Sequence, residues 1–172
     1  MAQLDKFRHD NTKMPIFAFD FDGTLTRGDT YPVIQPLRPL TKEIIDFIRA
    51  CGMKVVIWTT RDKDDNGHDD ITPMVEFLKQ NNIEVDNINH VIDFSPWVYE
   101  SRKIYAHMYV DDKAYGWVDS ALCLMYVLGD ILIRFCGCND VDVSNITGRI
   151  VRGEDASGYA RAIKNRLELT WV

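Results

Sequence analysis

Hydrophobic and polar positions fall along this chain in two kinds of block. Short apolar runs end abruptly in polar side chains, and longer segments carry apolar residues at helical spacing. The first short run, Ile16 to Phe19 behind Pro15, predicts a buried strand, because a first strand residue can do without its amide hydrogen. Thr41 can cap a helix that has Glu43 in its first turn, a stripe of Ile44, Ile45, Phe47 and Ile48, and a stop at Cys51-Gly52. Lys54 to Trp58 predicts a second strand, and Ile71 to Gln80 a second helix, with Thr72-Pro73 at its start and Asn81-Asn82 at its end. A third strand is predicted near Val85 to Ile88, a short helix over Trp97 to Ile104, and a fourth strand over Ala106 to Val110. Strand, helix, strand is the rhythm of a parallel sheet.

Two stretches break this rhythm. Arg27 to Pro39 holds Pro32, Pro36 and Pro39, which forbid a long helix and predict a loop or flap beside the end of the first strand. Past Asp119, Ala121 to Phe135 is almost wholly apolar, and its period fits either a buried helix or a helix and then a strand interrupted at Gly129-Asp130. Asp140 to Gly153 predicts a strand and turns. Glu154 to Leu169 predicts a terminal helix with Tyr159, Ile163 and Leu167 on one face.

The 172 residues suggest one domain with an appendage: a polar lead-in over 1–14, a core over 15–120, and a C-terminal extension over 121–172 that packs on the core or makes an oligomer contact. A formal charge of −6 weighs against general nucleic-acid binding. Met1 to Lys13 lacks the apolar centre of a secretory signal, and Ala121 to Phe135 is too short for a membrane span and contains Asp130 and Arg134. Without a signal, Cys51, Cys123, Cys136 and Cys138 read as free thiols, and the expected compartment is the cytoplasm.

The chemistry sits where the apolar runs stop. The first strand ends in Asp20 and Asp22, the second in Thr59 followed by Thr60 and Arg61, and the fourth in Asp111 and Asp112; Lys103 lies just before the fourth. Carboxyl ends of parallel strands are where such sheets keep their ligand crevices. Carboxylates this close repel unless a cation lies between them or one holds a proton. Oxygen ligands suit Mg²⁺, while a lysine and a hydroxyl can cradle phosphoryl oxygens.

In order, Asp20-Phe21-Asp22-Gly23-Thr24, then Val55-Val56-Ile57-Trp58-Thr59, then Lys103, then Tyr109-Val110-Asp111-Asp112 resemble the four motifs of the haloacid dehalogenase (HAD) superfamily of phosphatases. The resemblance covers roughly residues 15–120. It is closest to the small capless HAD-like hydrolases of phages and bacteria, which carry a Tyr-Pro pair like Tyr31-Pro32 after the first motif. It implies an α/β, Rossmann-like three-layer sandwich with a mainly parallel sheet. No large cap is expected, because Leu25 to Lys54 holds only a flap and a helix, and Asp86 to Arg102 is too short for a folded domain.

The resemblance also implies roles. Asp20 would be the nucleophile that forms an aspartyl-phosphate, and Asp22 the general acid and then base. Mg²⁺ would be held by Asp20, the main-chain carbonyl of Asp22, and Asp112, with Asp111 as the alternative or water-mediated ligand. Thr59 and Lys103 would bind the phosphoryl group, and Lys113 competes with Lys103; beside the resemblance, Thr60 is a further candidate phosphate contact, and Arg61 could reach a substrate phosphate from the rim of the site. The further acid common in the family after the acidic pair is missing at Tyr115 to Trp117, and the next is Asp119.

The expected function is therefore Mg²⁺-dependent hydrolysis of a phosphomonoester on a small molecule or macromolecule. The alternatives are a polynucleotide 3′-phosphatase, favoured by an open site and opposed by the acidic charge, and a catalytically silent binding module on the same fold. A homo-oligomer contact is the second expectation for the apolar run after Asp119. Arg61 has an alternative as well, a salt bridge to the acidic loop Asp62 to Asp70. That loop imitates the start of a calcium-binding EF-hand, but its twelfth position is Pro73 instead of glutamate, and a strand precedes it. Cys136-Gly137-Cys138 has no second Cys or His pair to complete a soft-metal site.

Overall fold

A computed structural model of the chain describes residues 14–28, 30–64, 66–90, 104–114 and 116–170. Four strands, β1 (Ile16–Phe19), β2 (Lys54–Ile57), β3 (Asn87–Ile88) and β4 (Met108–Val110), form an all-parallel sheet in the order β3-β2-β1-β4. In the register of the sheet Phe19 pairs with both Ile57 and Val110, so the strands on either side of β1 end level with it. Asp20, Trp58 and Asp111 therefore follow one another along a single edge of the sheet.

Every residue of β1 is buried, which is why its sequence is a continuous apolar run instead of an alternating one. Successive side chains still point to opposite faces. Phe17 and Phe19 enter the larger core with Ile44, Ile48, Leu132 and Phe135, and the rings of Phe17 and Phe135 meet edge-on at 5.1 Å. Ile16 and Ala18 face a smaller cluster with Val56 and Ile104. With cores on both faces and helices flanking the sheet, the architecture is the three-layer α/β arrangement expected.

Helix α1 (Thr41–Ala50) forms where its stripe places it, and α2 (Ile71–Gln80) between its predicted start and end signals. Cys123–Cys136 is a single helix, α3, which removes the helix-or-strand ambiguity of the apolar run. Its apolar side, including Leu124, Leu128, Ile131 and Leu132, is buried within the chain itself. Helix α5 (Ser157–Thr170) packs with α3 against α1.

One expectation is corrected. Residues 140–151 form a helix, α4 (Asp140–Val151), and not a strand with turns. The β-branched residues favour a strand locally, but Ile146 and Ile150, four apart, are buried, and α4 packs on α3. Gly129 of α3 faces this contact, where a Cβ would meet Val143 Cγ1 at 3.6 Å, an ordinary van der Waals distance. The Asn139 side chain accepts a hydrogen bond from the Asp142 amide and starts the helix.

Residues 27–39 make an excursion closed on itself by Thr26 bridging to Leu37 and by Arg27 N–H to Pro36 O at 2.8 Å. Among the described residues only the turn that follows β1 and this flap stand between β1 and α1, and no separate cap domain is evident. None of their helices is long and apolar enough to cross a membrane. The lead-in to Lys13, and the predicted short helix except for the buried Ile104, lie outside the described residues.

Candidate functional site

Asp20 leaves β1 with its amide still in the sheet, donating to Val110 O at 2.8 Å. The chain then makes one wide turn, Phe21 to Leu25, closed by the Thr26 amide on Phe21 O at 3.1 Å. Thr24 Oγ1 donates to Asp20 Oδ2 at 3.3 Å and accepts from the Asp112 amide at 2.8 Å, joining the ends of β1 and β4 through one hydroxyl. Gly23, at φ +81°, passes so near Asp112 that a Cβ would lie 2.4 Å from its Oδ2.

The result is a cluster in which Asp20, Asp111 and Asp112 each offer an oxygen, all within 4.8 Å of one another. Burial raises the Asp20 carboxyl to about 7, and the negative charges of Asp111 and Asp112 push it the same way. The Lys113 ammonium pairs with Asp112 Oδ2 at 2.7 Å, so a positive charge already stands at the cluster's edge. An all-oxygen set of crowded carboxylates, one seated where only glycine leaves room, fits a small hard cation such as Mg²⁺.

Asp22 points elsewhere. Its two oxygens accept from Arg61 Nε and Nη2, both at 2.7 Å, in a bidentate pair. The Arg61 side chain is only 1% exposed; its Nη1 donates to Pro32 O at 3.2 Å, and its guanidinium lies near the rings of Phe21 and Tyr31. The hydrogen bond to Asp22 holds Arg61 even more firmly in its charged form. Arg61 thus takes Asp22, and not a carboxylate of the acidic loop, as its ion-pair partner. It is a buried strut between Asp22 and the flap. Tyr31 carries the flap onward, its hydroxyl donating to Asp70, which also pairs with His68.

Thr59 is buried at the end of β2. Its amide donates to Asn89 Oδ1 at 2.8 Å, and its hydroxyl accepts from the Arg61 amide at 3.2 Å, which leaves the hydroxyl hydrogen to give. Thr60 is exposed. Lys103 lies outside the described residues. Asp64 and Asp69 are engaged inside the acidic loop, Asp64 with the amides of Asn66 and His68, and Asp69 with Lys63 and the start of α2. Among the described residues the Asp20, Asp111 and Asp112 cluster is the one group arranged to hold a metal, and the four buried cysteines form none.

Two residues that shape the site are not foreshadowed in the sequence reading. Asn89, in the left-handed region at φ 53°, clamps the segment after β2 by accepting from Thr59 N–H and donating to Arg61 O at 3.1 Å. Arg38, 8% exposed, donates to Gly23 O and pairs with Asp119 at 2.6 Å. An Asn after a short strand and an Arg among prolines are weak signals, and both partners are distant in the chain.

No protein-family model matches the chain, and no curated protein does. Among solved structures, it is similar to the structure of a conserved protein coded by a locus from Bacteroides thetaiotaomicron. That match has 22% sequence identity and a TM-score of 0.54, and it covers 70% of this chain and 89% of the other. The likeness is one of fold.

Proposed function

We propose that this chain is a Mg²⁺-dependent phosphomonoester hydrolase of the HAD type that works through an aspartyl-phosphate. The observation that carries the proposal is the meeting of Asp20, Asp111 and Asp112 within 4.8 Å at the carboxyl ends of adjacent parallel strands. Asp20, Asp112 and Asp111, with the carbonyl of Asp22, would hold the ion. When bound, Mg²⁺ supplies the positive charge that lets a phosphate approach three carboxylates.

An Asp20 carboxylate oxygen forms a bond to phosphorus as the bond to the leaving oxygen breaks, and that oxygen takes a proton from Asp22, which first takes one up from solvent on the oxygen that Arg61 releases. Water then gives a proton to Asp22 and attacks phosphorus, which frees Asp20 and releases phosphate. Thr59 donates its hydroxyl hydrogen to a phosphoryl oxygen, and Lys103 is assigned to a second one. Because Arg61 holds both oxygens of Asp22, one of those two hydrogen bonds has to open before Asp22 can serve the leaving group. The same pair favours the second reading, a catalytically silent module on this frame.

Phosphate release from an aryl phosphate, from sugar and nucleotide phosphates and from a 3′-phosphorylated oligonucleotide, with and without Mg²⁺, tests the proposal. Wild type is expected to turn over with Mg²⁺ and Asp20→Asn to be inactive. Equal rates in the two proteins would remove Asp20 from the mechanism. Mg²⁺ binding without turnover of any of these substrates would establish the silent module.

A further inference from the structure

We propose, on the footing of the Mg²⁺-dependent reading above, that Arg38 is a positioning residue that sets the spacing of the carboxylate cluster by gripping the loops after β1 and β4 with one guanidinium. Arg38 is fixed at its own backbone, its amide donating to Leu25 O at 2.9 Å and its carbonyl accepting from Thr41 Oγ1 at 2.9 Å. The side chain reaches back under the turn, where Nε donates to Gly23 O at 3.1 Å and Nη2 donates to the same oxygen. On its other side Nη1 pairs with Asp119 at 2.6 Å, and the guanidinium lies 5.6 Å from the centre of the Trp117 ring.

These two attachments flank the metal ligands. Gly23 lies three residues beyond Asp20 and forms the surface against which Asp112 sits. Trp117 and Asp119 belong to the segment that leaves Asp111 and Asp112. A planar fork with donors in fixed directions therefore couples the seat of one ligand to the chain that carries two others. Arg38 donates to neither Asp20 nor Asp22 in these contacts, so its effect is on ligand geometry and not on the reacting atoms. Asp119, the acid that follows the acidic pair at an unexpected distance, acquires its part here: it orients Arg38.

The dissociation constant for Mg²⁺, measured by calorimetric titration of the full chain, tests this. Arg38→Lys keeps the charge but loses the planar fork that bonds Gly23 and Asp119 together, and it is expected to weaken Mg²⁺ binding about 10-fold, the low end of the effect of losing a hydrogen bond to a ligand, because Arg38 acts one step further out. Asp119→Asn is expected to weaken it in the same direction by a smaller factor. Arg49→Lys, whose ion pairs lie with Glu84 and Asp86, is expected to keep the wild-type constant. A purely structural role would lower the metal-free unfolding midpoint and leave the Mg²⁺ constant unchanged. That result in Arg38→Lys overturns the inference; if Arg38→Lys does not fold, an unchanged constant in Asp119→Asn does so. Absence of Mg²⁺ binding by the unsubstituted chain overturns the metal reading together with this inference, so the two failures are distinct.

Discussion

Gly23 and Asp112, 89 residues apart, share one space: Asp112 Oδ2 occupies a position 2.4 Å from where a Cβ on Gly23 would be. The glycine is required twice, for its φ of +81° and for the room it leaves. Gly23→Ala is expected to displace Asp112 and to cut any Mg²⁺-dependent turnover about 100-fold, the scale on which small misplacements act. Backbone strain alone should cost about 1–3 kcal/mol. Urea denaturation beside phosphatase assay checks both, and wild-type behaviour would show that the contact relaxes freely.

The Arg61–Asp22 pair makes a separable prediction. Arg61→Met strands a carboxylate that is itself largely buried, with an expected cost of about 3–5 kcal/mol in unfolding free energy. Combined with Asp22→Asn, the loss should be smaller than the sum of the two single losses, because no charge is then left without its partner. Strict additivity in a double-mutant cycle would mean that the two residues are not coupled.

Proton binding at Asp20 predicts how the metal-free protein responds to pH. Its folded value, raised to about 7 from 3.8, means that the folded state holds this proton more tightly than the unfolded chain. The stability it contributes is complete below pH 3.8 and is lost as pH rises through about 7. In EDTA, the unfolding midpoint of wild type should therefore fall relative to that of Asp20→Asn between pH 4 and 8. Added Mg²⁺ should recover the loss at the alkaline end. Parallel pH profiles for the two proteins would contradict the assignment.

The start of α4 offers a test far from any chemistry. Asn139 Oδ1 accepts from the Asp142 amide at 2.9 Å, and Asn139→Ala should destabilise the chain by about 1 kcal/mol. Chemical denaturation reads this directly, and Asn139→Asp should restore most of the loss.

Much of the frame is legible along the chain because local pattern and tertiary demand agree. A strand buried on both faces must be apolar throughout, as Ile16 to Phe19 is, and a helix covering one face must carry a stripe, as α1 does. Where they disagree, the sequence misleads. Val141, Val143 and Ile146 resemble strand residues, and packing on α3 makes them helical. The signals that would have marked this helix were its cap at Asn139, Asp140 and Asp142 in its first turn, and Arg149 in its last.

The pattern of apolar runs is enough to place Asp20 and Asp22 after a buried strand, and Thr59 and the Asp111-Asp112 pair after others. Those positions depend on nothing beyond the end of an apolar run. Which carboxylates face one another follows from how the strands and loops pack. Parallel register draws Asp111 and Asp112 to Asp20, while a guanidinium 39 residues away turns Asp22 aside. Burial explains the difference: a charge removed from water must take a partner, and that partner is chosen by which segments the fold brings within hydrogen-bond reach, not by distance along the chain.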